Sequence, residues 1–263
     1  MMISFVIPCY YSELTIKSVV AEIQTIMLER KNFNYEIIAV NDCSPDNVLD
    51  VLRKLSFNEN QLKVIDLAKN VGKHAAMMAG YSVVLGDIIV NLDDDGQCPM
   101  NKLWDIIENL QNRYDITIAR YPHQKQSAFK NFGSEVNSLM EKILIGKPKA
   151  LHLANFSALK RFVVDEIVKY KNPYPYMSGL FLRTTSKICN VDMEERERLA
   201  GVGHYTFIKS LRLWLNGFTA FSVKPLRIST ILGAVCAIIG FLFGILTIIN
   251  KIIHPEIQAG YSS

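Results

Sequence analysis

Five short apolar runs rich in β-branched residues, ISFVIP, YEIIAV, LKVIDL, DIIVNL and DITIAR, recur through the first 120 residues, with helical stretches between them. These stretches lie around 14–30, 46–55, 73–85 and 100–113, with Asp46 (after Pro45) and Pro99 opening the second and fourth. Runs that apolar belong to strands buried on both faces, and strands joined by helices pair in parallel. The pattern therefore predicts an α/β fold, a mostly parallel sheet with helices on both faces. In such sheets ligands bind outside the carboxyl ends of the strands.

Three polar clusters arrive at that edge: NDCSP (41–45) after the second strand, AKNVGK (68–73) after the third and DDDGQ (93–97) after the fourth. A turn needs only Gly, Asn or Ser, yet these clusters add acids and lysines. Three carboxylates in a row, Asp93, Asp94 and Asp95, repel one another unless a cation or donor groups compensate them. Asp93 and Asp95 stand two residues apart at a strand end, so their side chains are expected to point the same way. Carboxylate and amide oxygens, here Asp95 and Gln97, suit Mg2+ or Mn2+, and Mg2+ commonly completes its shell with substrate phosphate. A capping turn before Pro99 is the plainer reading of the same residues.

The rest of the chain is less regular. A basic segment, RYPHQKQSAFKNFGS, precedes a helix around 133–145; NFSALKR and KICNVDM read as strands, and KNPYPYMSG as a loop. Ile228 to Ile249 is 22 residues without a charge, long enough to cross a hydrocarbon layer of about 30 Å. Gly240 and Gly244 form a G-x-x-x-G face within it. Before it, residues 205–227 place Phe207, Leu211, Trp214 and Leu215 at helical spacing among basic residues, the pattern of an interfacial amphipathic helix.

Composition excludes several classes. A net charge of +4 in 263 residues announces no nucleic-acid surface. The N-terminus lacks the basic region and long apolar core of a signal peptide. Five scattered cysteines without a C-x-x-C pair favour reduced thiols facing the cytosol, not disulfides or zinc. Lys224 and Arg227 before the span agree with a cytosolic N-terminal side, while Lys251 after it weakens the asymmetry.

The ordered motifs PCYYSE, VNDCSPDN, KNVGKHAAMMAG and DDDGQCP, then GHYTFIKSLRLWLNGFTAFSVKPLR before a span, resemble the family 2 glycosyltransferases. The polyprenyl-phosphate members, which include dolichol-phosphate mannose synthase, are the most similar. The likeness covers nearly the whole chain. It implies a GT-A (Rossmann-like) catalytic domain over 1–204, an amphipathic juxtamembrane segment over 205–227, one transmembrane helix over 228–250 and a short tail over 251–263. Those relatives usually carry two or more spans. The tail leaves no room for a second, so a longer parent chain or a single-span form is expected. The activity implied is inverting transfer of a hexosyl unit from a UDP- or GDP-sugar to a polyprenyl phosphate at a bacterial inner membrane.

Carried over by motif, Pro8, Tyr10, Glu13, Asp42, Lys69, Asn70 and Lys73 form the nucleotide side, with Asp42 on the base. Asp93 approaches the donor, Asp95 and Gln97 hold Mg2+ or Mn2+, and Arg198, Tyr205 and Lys209 face the donor diphosphate. Arg120, Lys125 and Lys130 are the candidates for the acceptor phosphate. The chain departs from the family pattern where Tyr11 replaces an asparagine, Gly203 a serine, and Asp94 the small residue of D-A-D. Asp94 is expected to be an exposed neighbour. Where hydroxyl-directed members carry an acid, YPYMSGLF has none, and Q-x-x-R-W is missing. An ionised phosphate needs no general base, which a hydroxyl does. Transfer to a glycan hydroxyl and a catalytically silent membrane scaffold remain open, as does oligomeric state. A nucleotidyltransferase is disfavoured, because PCYYSEL is not a glycine-rich basic loop.

Overall fold

The computed structural model describes residues 1–122, 147–148, 150–194, 196, 199 and 224–253. The expected helix around 133–145, residues 205–223 of the juxtamembrane segment, and Lys125, Lys130, Arg198, Tyr205 and Lys209 lie outside the described residues.

The described chain alternates as expected: β1 (Met2–Cys9), α1 (Ile16–Leu28), β2 (Asn34–Asn41), α2 (Val48–Asn58), β3 (Leu62–Asp66), α3 (Lys73–Tyr81), β4 (Ile88–Asn91), a 3-10 turn (Met100–Lys102), α4 (Leu103–Asn112) and β5 (Ile116–Arg120). Then follow β6 (Ser157–Lys160), α5 (Arg161–Val168), α6 (Met177–Thr184), β7 (Ile188–Asp192) and α7 (Lys224–Ile253). The seven strands form one sheet in the order β3-β2-β1-β4-β6-β5-β7. All pairs are parallel except those of β6, which runs against both β4 and β5.

Strand side chains alternate between faces, and both faces are covered. Ile3, Phe5, Ile7, Ile37, Ala39, Ile88 and Val90 join one core with Ile16, Val20, Ile23, Leu52, Leu103 and Ile107 of α1, α2 and α4. On the other face α3 lies against β1 and β2 so closely that a Cβ on Gly80 would stand 2.6 Å from Val6 Cγ1. Helix α1 repeats its apolar residues at Ile16, Val19, Val20, Ile23, Ile26 and Met27, the stripe a sheet-covering helix needs.

From β1 the chain steps outward to β2 and β3, then returns to the opposite side of β1 with β4. The strand order therefore reverses between β1 and β4, and the crevice at their carboxyl ends is where such a sheet receives a ligand.

Three differences from the sequence reading stand out. NFSALKR does form a strand, but antiparallel. RFVVDEIV (161–168) is a helix, and a second helix starts at Met177, inside the expected loop KNPYPYMSG. Helix α7 extends beyond the expected span at both ends and takes in Lys224 to Arg227. Its stretch Ser229–Ile253 has a mean hydropathy of 2.7 in its most apolar window, which makes it long and apolar enough to cross a membrane. The chain divides into two compact units, residues 1–217 and 218–263.

Candidate active site

The loops at the crevice are tied to one another by side chains from unlike positions. After β1, the Tyr10 N–H donates to Asp94 Oδ2 at 2.9 Å, and Thr15 Oγ1 donates to the Asp94 carbonyl at 2.6 Å. The Tyr11 N–H donates to Ser44 Oγ at 2.8 Å. The Glu13 N–H donates to Asp46 Oδ2 at 2.9 Å, and the Glu13 carboxylate in turn accepts from the Asn47 N–H at 3.2 Å. Tyr11 sits at φ 59° and Cys43 at φ 49°, in the left-handed region that Gly and Asn tolerate best. The asparagine that usually follows the first tyrosine in the family pattern thus has a backbone reason. Pro8 is buried within β1, below the crevice.

Asp42 was expected on the nucleobase. In the structure it is 3% exposed, and its two oxygens accept from Val71 N at 2.7 Å and Gly72 N at 2.9 Å. Burial raises its pKa, although those two hydrogen bonds pull the other way. Its role in the structure is to shape the turn before α3, where Gly72 adopts φ +85°. Asn70 supports the same turn, its Nδ2 donating to the Asp42 carbonyl at 3.1 Å, and Lys69 is exposed beside it.

The acidic triplet is compensated carboxylate by carboxylate. Asp93 Oδ1 pairs with the Lys73 ammonium, and Asp93 Oδ2 accepts from Asn155 Nδ2 at 3.0 Å. Burial alone would lower the Lys73 pKa, but the charge and hydrogen bond of Asp93 raise it overall, so the ammonium stays charged. Asp94 is not the exposed neighbour expected: it is half-buried, turned to the β1 loop, and burial pushes its pKa up to about 6 against the Tyr10 N–H bond.

Asp95 Oδ1 accepts from the Gln97 N–H at 3.0 Å, and Gln97 Nε2 donates to the Arg196 carbonyl at 3.3 Å. Between them Gly96 has φ +76°, and a Cβ there would fall 2.3 Å from Leu199 Cδ1. Arg196 and Leu199 lie over this turn, with Arg196 N donating to the Gln97 carbonyl at 3.3 Å and Leu199 N to the Asp95 carbonyl at 3.2 Å. Arg198 itself lies outside the described residues, but its flanking residues are anchored on the acidic loop.

Asp95 and Gln97 bring a carboxylate and an amide to one turn, oxygen donors of the kind Mg2+ and Mn2+ prefer. Among the described residues no three His, Cys, Asp or Glu side chains form a cage that holds a metal alone. The donor set fits an ion shared with substrate oxygens.

Arg120, expected at the acceptor phosphate, makes a two-point ion pair with Asp192, with Nη2 at 2.5 Å from Oδ2. The pair is solvent-exposed on both sides. Beside it a cavity of about 600 Å3 opens along β7, lined among others by Leu151, Leu182, Cys189 and Asn190.

Sequence reasoning missed two participants. Asn155 reaches Asp93 from the chain entering β6; only knowledge of the antiparallel strand would have pointed to it. His74 follows Lys73 on α3. Its Nδ1 donates to the Pro175 carbonyl at 3.2 Å and its ring lies 5.6 Å from that of Tyr176. A carbonyl only accepts, so Nδ1 carries the proton. Burial, then the neighbouring Lys73 charge, brings the imidazole down to about 4, a weak base.

A GT-A glycosyltransferase domain is what this sheet and its acidic crevice define. Residues 4–168 match the model of "Glycosyl transferase family 2", and the chain belongs to that family. It is 30% identical to the uncharacterized glycosyltransferase YkcC of Bacillus subtilis over 99% of this chain and 80% of that protein. It is 27% identical to the undecaprenyl-phosphate 4-deoxy-4-formamido-L-arabinose transferase of Photorhabdus laumondii over 98% and 79%. The glucosyl-3-phosphoglycerate synthase of Mycobacterium tuberculosis, solved with Mn2+, UDP and phosphoglyceric acid, shares the fold. Its TM-score is 0.57 at 17% identity, over 81% of this chain and 75% of that one.

Proposed function

We propose that the protein transfers a glycosyl unit, with inversion, from a nucleotide-diphosphate sugar to a polyprenyl phosphate at the cytosolic face of a membrane. One observation carries the choice of acceptor. Among the described residues of the crevice, the Asp93 carboxylate is paired with the Lys73 ammonium, Asp94 is turned to the Tyr10 N–H, and Tyr174–Phe181, where hydroxyl-directed members carry an acid, has none. Such a site suits a nucleophile that arrives ionised, as a phosphate monoester does, better than a hydroxyl that must lose a proton. The name of the Photorhabdus relative, an undecaprenyl-phosphate transferase, supports the same class of acceptor.

Asp95 and Gln97 would hold Mg2+ or Mn2+, which when bound neutralises the donor diphosphate and stabilises the departing nucleoside diphosphate. Tyr10, Glu13, Lys69 and Asn70 line the nucleotide side, and Asp93 faces the sugar. Arg198 and Lys209 supply positive charge for the diphosphate, and Tyr205 a hydroxyl donor. Lys125 and Lys130 receive the acceptor phosphate. With α7 in the bilayer, a tethered domain meets its lipid at high effective concentration.

The test is a screen of UDP- and GDP-sugars radiolabelled in the sugar, offered unlabelled polyprenyl phosphate in detergent, with and without Mn2+. Label appearing in a lipid-linked sugar phosphate is the expected result. Label passing only to added oligosaccharide would replace this reading with the hydroxyl acceptor, and donor turnover nowhere in the panel would leave the scaffold.

A further inference from the structure

Asp93 is held from two sides by groups far from it in the chain. Lys73, the first residue of α3, takes Oδ1, and the Asn155 amide donates to Oδ2 at 3.0 Å. Asn155 owes its place to the one strand that runs against its neighbours. Ser157 of β6 is opposite Asn91 of β4 and also opposite Ile118 of β5. The chain two residues before Ser157 therefore passes just beyond the carboxyl ends of β4 and β5, with Asp93 on one side and Arg120 on the other.

A structural link has little to gain there. Asn155 is exposed, and a hydrogen bond from an exposed amide contributes little to stability. What the two partners do is orient. With one donor on each oxygen the carboxylate plane is set, and of its roughly four lone-pair positions about two remain for hydroxyl donors. The ammonium also cancels one of three crowded charges beside the site where a diphosphate must come to rest.

We infer that Asn155 is a positioning residue which, together with Lys73, aims the Asp93 carboxylate at hydroxyl groups of the donor's sugar and leaves the nucleotide to other residues. This rests on the nucleotide-sugar reading above. A sugar hydroxyl donates to Asp93, no covalent bond changes, and the benefit is confined to the sugar part of the donor.

The experiment compares affinities for UDP and UDP-glucose, and for GDP and GDP-mannose, by calorimetry on the full chain in detergent with Mn2+. In Asn155→Ala the preference for the sugar nucleotide over the bare nucleotide should drop about tenfold, the scale of one charge-assisted hydrogen bond. Affinity for the bare nucleotide should stay within about twofold. Asn155→Asp keeps the size but puts an acceptor against an acceptor, so its loss should exceed that of Asn155→Ala, whereas Lys73→Arg should retain part of the preference. Unchanged preference in Asn155→Ala, or equal losses for nucleotide and sugar nucleotide, overturns the inference alone. A wild-type chain that binds none of the four probes overturns the donor reading and the inference with it.

Discussion

On the β3-β2-β1-β4 side of the sheet, the loops at the carboxyl edge are bound to one another: Tyr10 to Asp94, Tyr11 to Ser44, Glu13 to Asn47, Asp42 to Val71 and Gly72. On the β6-β5-β7 side a cavity of about 600 Å3 runs along β7, and Arg120 and Asp192 meet partly exposed beside it. The first side is preorganised before any ligand arrives. The second leaves volume. A donor of fixed polar shape needs the former arrangement, since binding groups already in position lose little freedom when the ligand binds. Asn155 belongs to the second side and acts on the first.

The largest expected effect tests whether the ordered side owes its function to the acidic loop. Asp95→Asn keeps shape and the hydrogen bond from Gln97 N but halves the oxygen set offered to a cation. Metal-dependent donor turnover should drop by about a hundredfold or more. A variant whose Mn2+ titration and turnover match wild type would remove the metal from this loop.

The same contrast explains what could be read from the sequence. Strands β1 to β5 were legible because buried parallel strands need unbroken apolar runs, and the polar clusters after them then had only one edge to occupy. The crevice, the acidic loop and the apolar helix α7 followed from spacing and composition. Direction was not legible: NFSALKR looks the same parallel or antiparallel, so Asn155 could not be placed beside Asp93. The inward turn of Asp94 and Asp42 was not legible for a related reason. Each is polar, and their inward turn depends on N–H groups of Tyr10, Val71 and Gly72 that a linear sequence does not bring near. The β6-β5-β7 side stayed least legible, because Arg120 meets Asp192 only through the β5–β7 pairing.

A smaller effect probes packing beneath the ordered side. Gly80 lets α3 approach β1, and an added Cβ would meet Val6 Cγ1 at 2.6 Å and Val40 Cγ2 at 3.3 Å. Both neighbours are core side chains in strands, with little freedom to retreat. Gly80→Ala should cost about 1–3 kcal/mol. Because α3 carries Lys73, it should also weaken donor binding. Thermal melts and donor KM measured together check this; loss of stability with an unchanged donor KM would show that α3 adjusts its height without moving the clamp on Asp93.

The smallest effect concerns His74, where the two sides touch through Pro175 and Tyr176. Its pKa is depressed in the folded protein to about 4, against about 6.5 in an unfolded chain. A depressed pKa means that the stabilising contribution is complete above the unfolded value and is lost as pH falls through the folded one. The native protein should therefore lose stability between pH 6.5 and 4 from this residue, by roughly 1 kcal/mol at pH 5 once partial exposure is allowed for. His74→Phe keeps a ring against Tyr176 and removes the titration, so its melting temperature should fall less steeply over that window in metal-free buffer. Identical slopes for the two proteins would mean that His74 takes up its proton without disturbing Pro175, and that the contact between the two sides is looser than the hydrogen bond at 3.2 Å implies.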